Sequence, residues 1–272
     1  MADTDTYFTI KKPDNPLLRS IVEYYFYIDA SVSEMISGAE FIIPFPRVTF
    51  GYLFDHPFRV INHTLNETVL AEIAISRIST QKITVEPSTE RIKILGAHVK
   101  PFGLAHFTKV PINSLPWIIN TKALFGSIAN KFLRKVNACR DTESMFHEVE
   151  AVFLDNILAR DLSLITKAIE LIEINAAHLE ITELSQLLAV SDRTIRNHFY
   201  DYIGCSPKEY LRIVKLKQIA FQMKHSESSL THIAYDNNYF DQAHFIREVK
   251  DITGQTPNRL RKQIPSFRFL QF

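Results

Sequence analysis

Two short stretches in the last third of the chain gather side chains that could hydrogen-bond to the edges of nucleic-acid bases. The first is Asp192-Arg-Thr-Ile-Arg-Asn-His-Phe199, in which Ile195 and Phe199 stand four apart and so share one helical face. Arg193, Arg196 and Asn197 must then point elsewhere. The second is Phe240-Asp-Gln-Ala-His-Phe-Ile-Arg-Glu-Val249. Phe245 and Val249 repeat the inward spacing there and leave Gln242, Ala243, Ile246 and Arg247 nearer the outside, with His244 close by. An arginine fork suits the guanine edge and an asparagine amide suits the adenine edge. The plainer alternative for each is a solvated side chain, or one that meets only phosphate.

Helices can present such faces only if their ends are fixed. Ser191 precedes the first stretch, and its hydroxyl can accept the free backbone N–H groups of a first turn; Asp241 stands in the same place before the second. Upstream, Leu184, Leu187 and Leu188 recur at helical spacing and break off at Ala189-Val190. In the second unit Ile233 and Ala234 pack a helix that ends at Asn237-Asn238, and Asn tolerates the left-handed backbone of a tight turn. Each unit is therefore a helix, a turn and a second helix. Each is followed by the same punctuation, Gly204-Cys-Ser-Pro207 and Gly254-Gln-Thr-Pro257, in which Gly ends one helix and Pro begins the next. Between the units, Pro207 to Lys224 predicts one helix of about 18 residues, or about 27 Å. Tyr210, Leu211, Val214 and Ile219 anchor it, leaving Arg212, Lys215 and Lys217 available for phosphates.

At these residues the sequence resembles the DNA-binding domain of the AraC/XylS family of bacterial transcription regulators. The resemblance covers residues 163–262 and rests on Ser191 to Phe199, the Arg212–Ala220 pattern, Ile233-Ala234, Phe245 and the ending Gly254-x-Thr-Pro-x-x-x-Arg261. It departs at Asn238-Tyr239, where the family usually has Gly-Phe, and at Val249, where a Phe is usual and core volume is lost. The resemblance implies that Arg193, Arg196 and Asn197 read bases from the first unit, and Gln242, Ala243 and Arg247 from the second, with His244 beside them. Ser191, Thr194, Arg212, Lys215, Lys217, Asp241 and Lys250 are the candidate phosphate contacts. The implied partners are double-stranded DNA and RNA polymerase, and members usually act as dimers. A linker of that length would let the two readers enter successive major grooves, which recur about every 34 Å.

Composition limits the alternatives. The chain has 272 residues, 46% hydrophobic and 22% charged, which is globular and long enough for about two domains. A net charge of +1 argues against a nonspecific polyanion coat. Local charge still suits DNA: Arg193, Arg196, Lys208, Arg212, Lys215 and Lys217 face only Asp201 and Glu209 between positions 193 and 217. The two cysteines, Cys139 and Cys205, are isolated and form neither a metal pair nor a redox motif. The opening Met-Ala-Asp-Thr-Asp-Thr is no signal peptide, and no stretch reaches the ~18 apolar residues that span a bilayer. A cytoplasmic protein with no membrane contact is expected.

The first 112 residues read as short strands. Tyr24–Ile28, Phe41–Ile43, Arg47–Phe54, Phe58–Ile61, Glu72–Ser76 and Arg91–Leu95 are rich in β-branched and aromatic residues, separated by Pro44, Pro46, Pro57 and Pro87. Such spacing predicts a barrel or jelly roll, its Phe and Tyr filling the interior. The run Arg91-Ile-Lys-Ile-Leu-Gly-Ala-His-Val-Lys-Pro-Phe-Gly-Leu-Ala-His106 more loosely resembles sensor domains attached to some AraC-type regulators, many of them cupin-like barrels that bind an effector. It implies no particular small molecule. From Asn113 the period turns helical, with one amphipathic helix over Lys122–Val136 and another over Thr142–Leu158. These could pack on the barrel or form a homodimer contact.

The expected fold class is therefore α+β multidomain. A β-barrel or jelly-roll-like, cupin-like domain occupies residues 1–112 and a helical extension 113–160. An all-α domain with two helix-turn-helix motifs joined by a linker helix occupies 161–264, and a tail 265–272. No Pro/Gly-rich hinge divides them, so tight coupling is expected. His56, His63, His98 and His106 are scattered singly, without the His-x-His and carboxylate of a cupin metal site, so neither metal nor cofactor is expected. No nucleophile elbow or phosphate loop occurs. An enzyme fused to a DNA-binding domain, such as an alkyl-transfer repair protein, needs an activated cysteine. Control by a protein partner instead of an effector also stays open.

Overall fold

The computed structural model describes residues 7–35, 40–175 and 179–264. The 265–272 tail lies outside them. Ten strands in this set build two antiparallel sheets. They are β1 Phe8–Lys11, β2 Val22–Ser31, β3 Glu40–Ile42, β4 Val48–Leu53, β5 Phe58–Asn62, β6 Glu67–Ala71, β7 Ile73–Ser76, β8 Ile83–Glu86, β9 Arg91–Val99 and β10 Ile118–Asn120. The larger sheet runs β1-β2-β9-β4-β7-β10 and the smaller β3-β8-β5-β6.

The near-continuous apolar runs of β2 and β9 have a simple cause: both faces of the larger sheet are covered. Successive side chains alternate between faces. Phe26, Ile28, Ile92 and Ile94 meet Phe58, Val60 and Ile83 of the smaller sheet, whereas Tyr25, Phe50, Tyr52 and Leu95 turn to the opposite side. Gly96 is required at the centre, because a Cβ there would collide with the Phe26 ring and with the Phe50 carbonyl oxygen at 2.6 Å.

Helices close that opposite side. The single helix expected over Lys122–Val136 is two, α1 Thr121–Phe125 and α2 Ser127–Ala138, because Gly126 turns the chain with φ +54. With α3 Thr142–Asn156 they press Phe132, Phe146 and Phe153 onto the sheet, the Phe50 ring lying 5.8 Å from Phe132 and 5.4 Å from Phe153. Most of the apolar faces that suggested a dimer contact are thus buried inside the chain, while Leu124, Ile128 and Ile157 are partly buried. The sheet domain also reaches past residue 112, since β10 pairs with β7.

The C-terminal domain comprises α4 Ser163–Asn175, α5 Ile181–Leu187, α6 Asp192–Tyr202, α7 Pro207–His225, α8 Leu230–Asp236, α9 Gln242–Thr253 and α10 Pro257–Gln263. Its first half shares one continuous core with the sheet domain, running from Phe50 and Phe153 through Ile165 to Phe199 and Tyr210. Arg160 ties the junction, donating to the Thr108 and Ala105 carbonyls at 2.8 and 3.2 Å while its guanidinium lies 5.0 Å from the Tyr202 ring. Gly204, at φ +91, lets α6 end against Ile112, where a Cβ would come within 2.8 Å of an Ile112 methyl. The second half has its own core of Ile219, Ile233, Phe245, Val249 and Leu260, joined from the sheet domain by Ile43.

Candidate nucleic-acid interface

The two helix-turn-helix units are built alike, and their turns explain why. Ala189 and Asn238 both adopt the left-handed backbone, with φ 52 and 58. Asn238 stands where Gly would be easiest, and Asn is the residue that best tolerates the strain. Each second helix then starts on a side-chain cap. Ser191 Oγ accepts the Thr194 N–H at 3.1 Å, and the Asp241 carboxylate accepts the His244 N–H at 2.6 Å. With the ends fixed, burial sets the rotation of each helix. Ile195 and Phe199 are buried under α6, and Phe245 and Val249 under α9.

The opposite faces are open. Arg193, Arg196, Asn197 and Tyr200 are exposed on α6, and Gln242, Ala243, Ile246, Arg247 and Lys250 on α9. His244 is exposed as well, yet its ring lies 5.3 Å from Tyr239 and 3.5 Å from the Glu248 carboxylate, on the flank of the helix. Two features of this surface were missed in the candidate set. Ile246 is exposed beside Arg247, and Phe240, one residue before the cap, is 96% exposed. Comparing the two units position by position would have found both.

The linker α7 has 19 residues, about 28 Å of helix. Pro207 opens it, and Ser206 and Glu209 form a reciprocal capping box. Its cations do not stand free as the sequence suggested. Arg212 Nε pairs with Glu248 at 3.1 Å. Lys215 Nζ lies 4.3 Å from the Tyr239 ring centre, and burial lowers its pKa against the pull of Glu248. Lys217 Nζ lies 5.2 Å from the Phe45 ring of the sheet domain. Periodicity fixed which residues avoid the core of the C-terminal domain, but not that other elements would cover that side. At the far end of the linker, Arg261 donates to the Ser226 and Ser228 carbonyls, both at 2.7 Å, which gives the arginine of the Gly-x-Thr-Pro ending a structural task.

A second site lies between the sheets. A cavity of about 240 Å³ is walled by apolar residues such as Phe26, Leu53, Val60 and Ile94, into which Arg47, Arg77 and His98 intrude. Arg47 Nη1 donates to the Tyr24 hydroxyl at 3.0 Å and to His98 Nδ1, and its guanidinium lies 4.0 Å from the Phe45 ring. Arginine can only donate, so His98 Nδ1 accepts and the ring is neutral. Burial first, and Arg47 second, hold the His98 pKa well below its usual value. The Nε atoms of Arg47 and Arg77 are buried without a hydrogen-bond partner.

Neither cysteine sits in a setting that would activate it. Burial leads in raising both thiols, Cys139 further opposed by Glu148 and Cys205 by Glu209. Among the described residues one grouping with metal-ligand side chains, Asp14, Glu143 and His147, is exposed, and Lys11 binds its two carboxylates. Among the described residues no helix is long and apolar enough to cross a membrane.

Comparisons with known proteins fall on the same units. Residues 184–263 match the family described as a helix-turn-helix domain. Over 90 residues the chain is 32% identical to an uncharacterized HTH-type transcriptional regulator of Haemophilus influenzae, 33% of this chain and 30% of that one. Over 86 residues it is 33% identical to the HTH-type transcriptional activator RhaS of Yersinia pestis, 32% of each chain. These matches therefore span about a third of the relatives' length. Among solved structures, ToxT from Vibrio cholerae superposes with a TM-score of 0.52 at 11% identity, over 96% of this chain and 99% of that one. Wild-type ToxT with an unsaturated fatty acid bound gives 0.51 at 12%, over 96% and 97%. Identity this low establishes a shared two-domain fold and nothing finer.

Proposed function

We propose, from the premise that the C-terminal unit is an AraC-type helix-turn-helix domain, that the chain is a sequence-specific DNA-binding transcription regulator. In this reading α6 and α9 lie in successive major grooves on one face of the duplex. The observation that carries it is the matched pair of capped helices, one before the 19-residue linker and one after it, each burying one face and leaving arginine on the other. Arg193, Arg196 and Arg247 then meet guanine edges and Asn197 meets adenine, while Ser191, Thr194 and Lys250 contact phosphate. RNA polymerase and a second copy of the chain are the protein partners this reading expects. The test is binding to a duplex selected by the full chain from a random-sequence library. Arg196→Ala should weaken that complex by about 1–3 kcal/mol and relax the base preference at one position. Unchanged affinity and preference would remove Arg196 from the readout.

The cavity supports control by a small apolar acid. Its walls bury a hydrocarbon tail and its unpaired arginine donors suit a carboxylate. The fatty acid carried by ToxT points to the same chemistry. A route to the DNA face exists, because Ile43 and Phe45 line the cavity while Ile43 packs into the second unit and Phe45 lies beside Lys217. An unsaturated fatty acid should raise the melting temperature saturably, the matching alcohol should not, and Arg47→Gln should abolish the difference. Equal shifts from acid and alcohol would contradict an anion site.

A further inference from the structure

The two readers are offset by fifty residues, the interval between their caps Ser191 and Asp241, and this lets their outer faces be compared side chain by side chain. Arg193 corresponds to Ala243, Arg196 to Ile246, Asn197 to Arg247 and Tyr200 to Lys250. The half-buried Val190 corresponds to Phe240, which is 96% exposed. The first reader thus presents hydrogen-bonding groups at all four of these helical positions. The second presents Phe240, Ala243 and Ile246, three residues apart, so that the two helical ones share a face and Phe240 stands at its open N-terminal end.

Among the described residues Phe240 and Ala243 stand open to solvent and Ile246 is partly so. Phe240 is the most exposed large apolar side chain among the described residues, and Ile246 is 38% exposed on a helix whose other side is fully buried. Lys250 flanks it and would hold it against a polyanion, beside the Arg247 assigned above to a guanine edge. Apolar side chains cannot read a donor or acceptor, and the one apolar group a base pair shows in the major groove is the C5 methyl of thymine.

We infer that the second helix-turn-helix unit recognises thymine methyl groups through Phe240, Ala243 and Ile246 beside the guanine met by Arg247, so that its half-site carries thymines while that of the first unit is read by hydrogen bonds alone. The inference rests on the DNA-binding reading given above. It also assigns Ile246 a base-reading role at the position where the first reader carries Arg196.

The experiment uses the full chain and the duplex that it selects from a random library, with deoxyuridine replacing thymidine one position at a time. Uracil keeps the pairing edge and O4 and lacks only the methyl. Substitution in the half-site of the second unit should weaken binding about fourfold at each contacted position, the value of one buried methyl. Substitution in the other half-site should change little. Ile246→Ser should bind thymidine and deoxyuridine duplexes alike, and Ile246→Arg should move the selected base toward guanine. Position 246 is 38% exposed, and unchanged melting checks that each variant folds.

Tight selective binding without any methyl dependence would overturn the inference and leave the regulator reading intact, whereas failure to select any sequence would overturn that reading itself. An Ile246→Ser variant that alters sedimentation but not DNA affinity would assign the stripe to a protein contact and also overturn the inference.

Discussion

His98 shows how one side chain can report on the folding of the sheet domain. It is 4% exposed, accepts from Arg47, and is held neutral by burial and by that cation. In the unfolded chain its pKa returns to about 6.5, so the unfolded state takes up a proton that the folded state refuses. Its contribution is complete above that value and is lost as the pH falls below it, by up to about 1.4 kcal/mol per unit. The melting temperature of the natural chain should therefore drop more steeply between pH 6.5 and 5 than that of His98→Gln. Parallel curves would show that His98 is protonated in the fold. At the same scale, the two departures from the family pattern prove structurally tolerable. Asn238 takes the left-handed turn that Gly usually supplies, and Val249 is 1% exposed within a core that Ile43 enters from the other domain.

Among the elements, those whose signals are local were legible in the sequence. Ser191 and Asp241 cap where their hydroxyl and carboxylate chemistry predicts, and the four-residue spacing of Ile195 with Phe199 and of Phe245 with Val249 fixed the outward faces. Elements that depend on partners were not legible. The edge strands β1 and β6 leave most of their residues partly or fully exposed, and β8 and β10 are only four and three residues long, so their pairing comes from β2, β5 and β7. Gly126 divided a helix whose apolar spacing runs on unbroken through the turn. The cavity escaped for the same reason. Arg47, Arg77 and His98 are distant in sequence, and only the sheet register sets His98 opposite Tyr24 and Thr49. The linker's length was readable from its Gly-x-x-Pro boundary, while the fates of Arg212, Lys215 and Lys217 required knowing what packs beside it.

Taken as a whole, the molecule does not hang a DNA-binding module on a loose tether. One apolar core runs from the aromatic cluster around Phe50 to Phe199 beneath the first reader, and Ile43 reaches from the sheet domain into the core beneath the second. Both helix-turn-helix units are therefore held by the sheet domain as well as by α7. Hydroxyl-radical footprinting of the full chain on its selected duplex, at one chain per site, tests this arrangement most directly. Two protected patches about 10 base pairs apart on one face of the helix are the predicted result. A single patch one groove wide, or two patches on opposite faces, would contradict it.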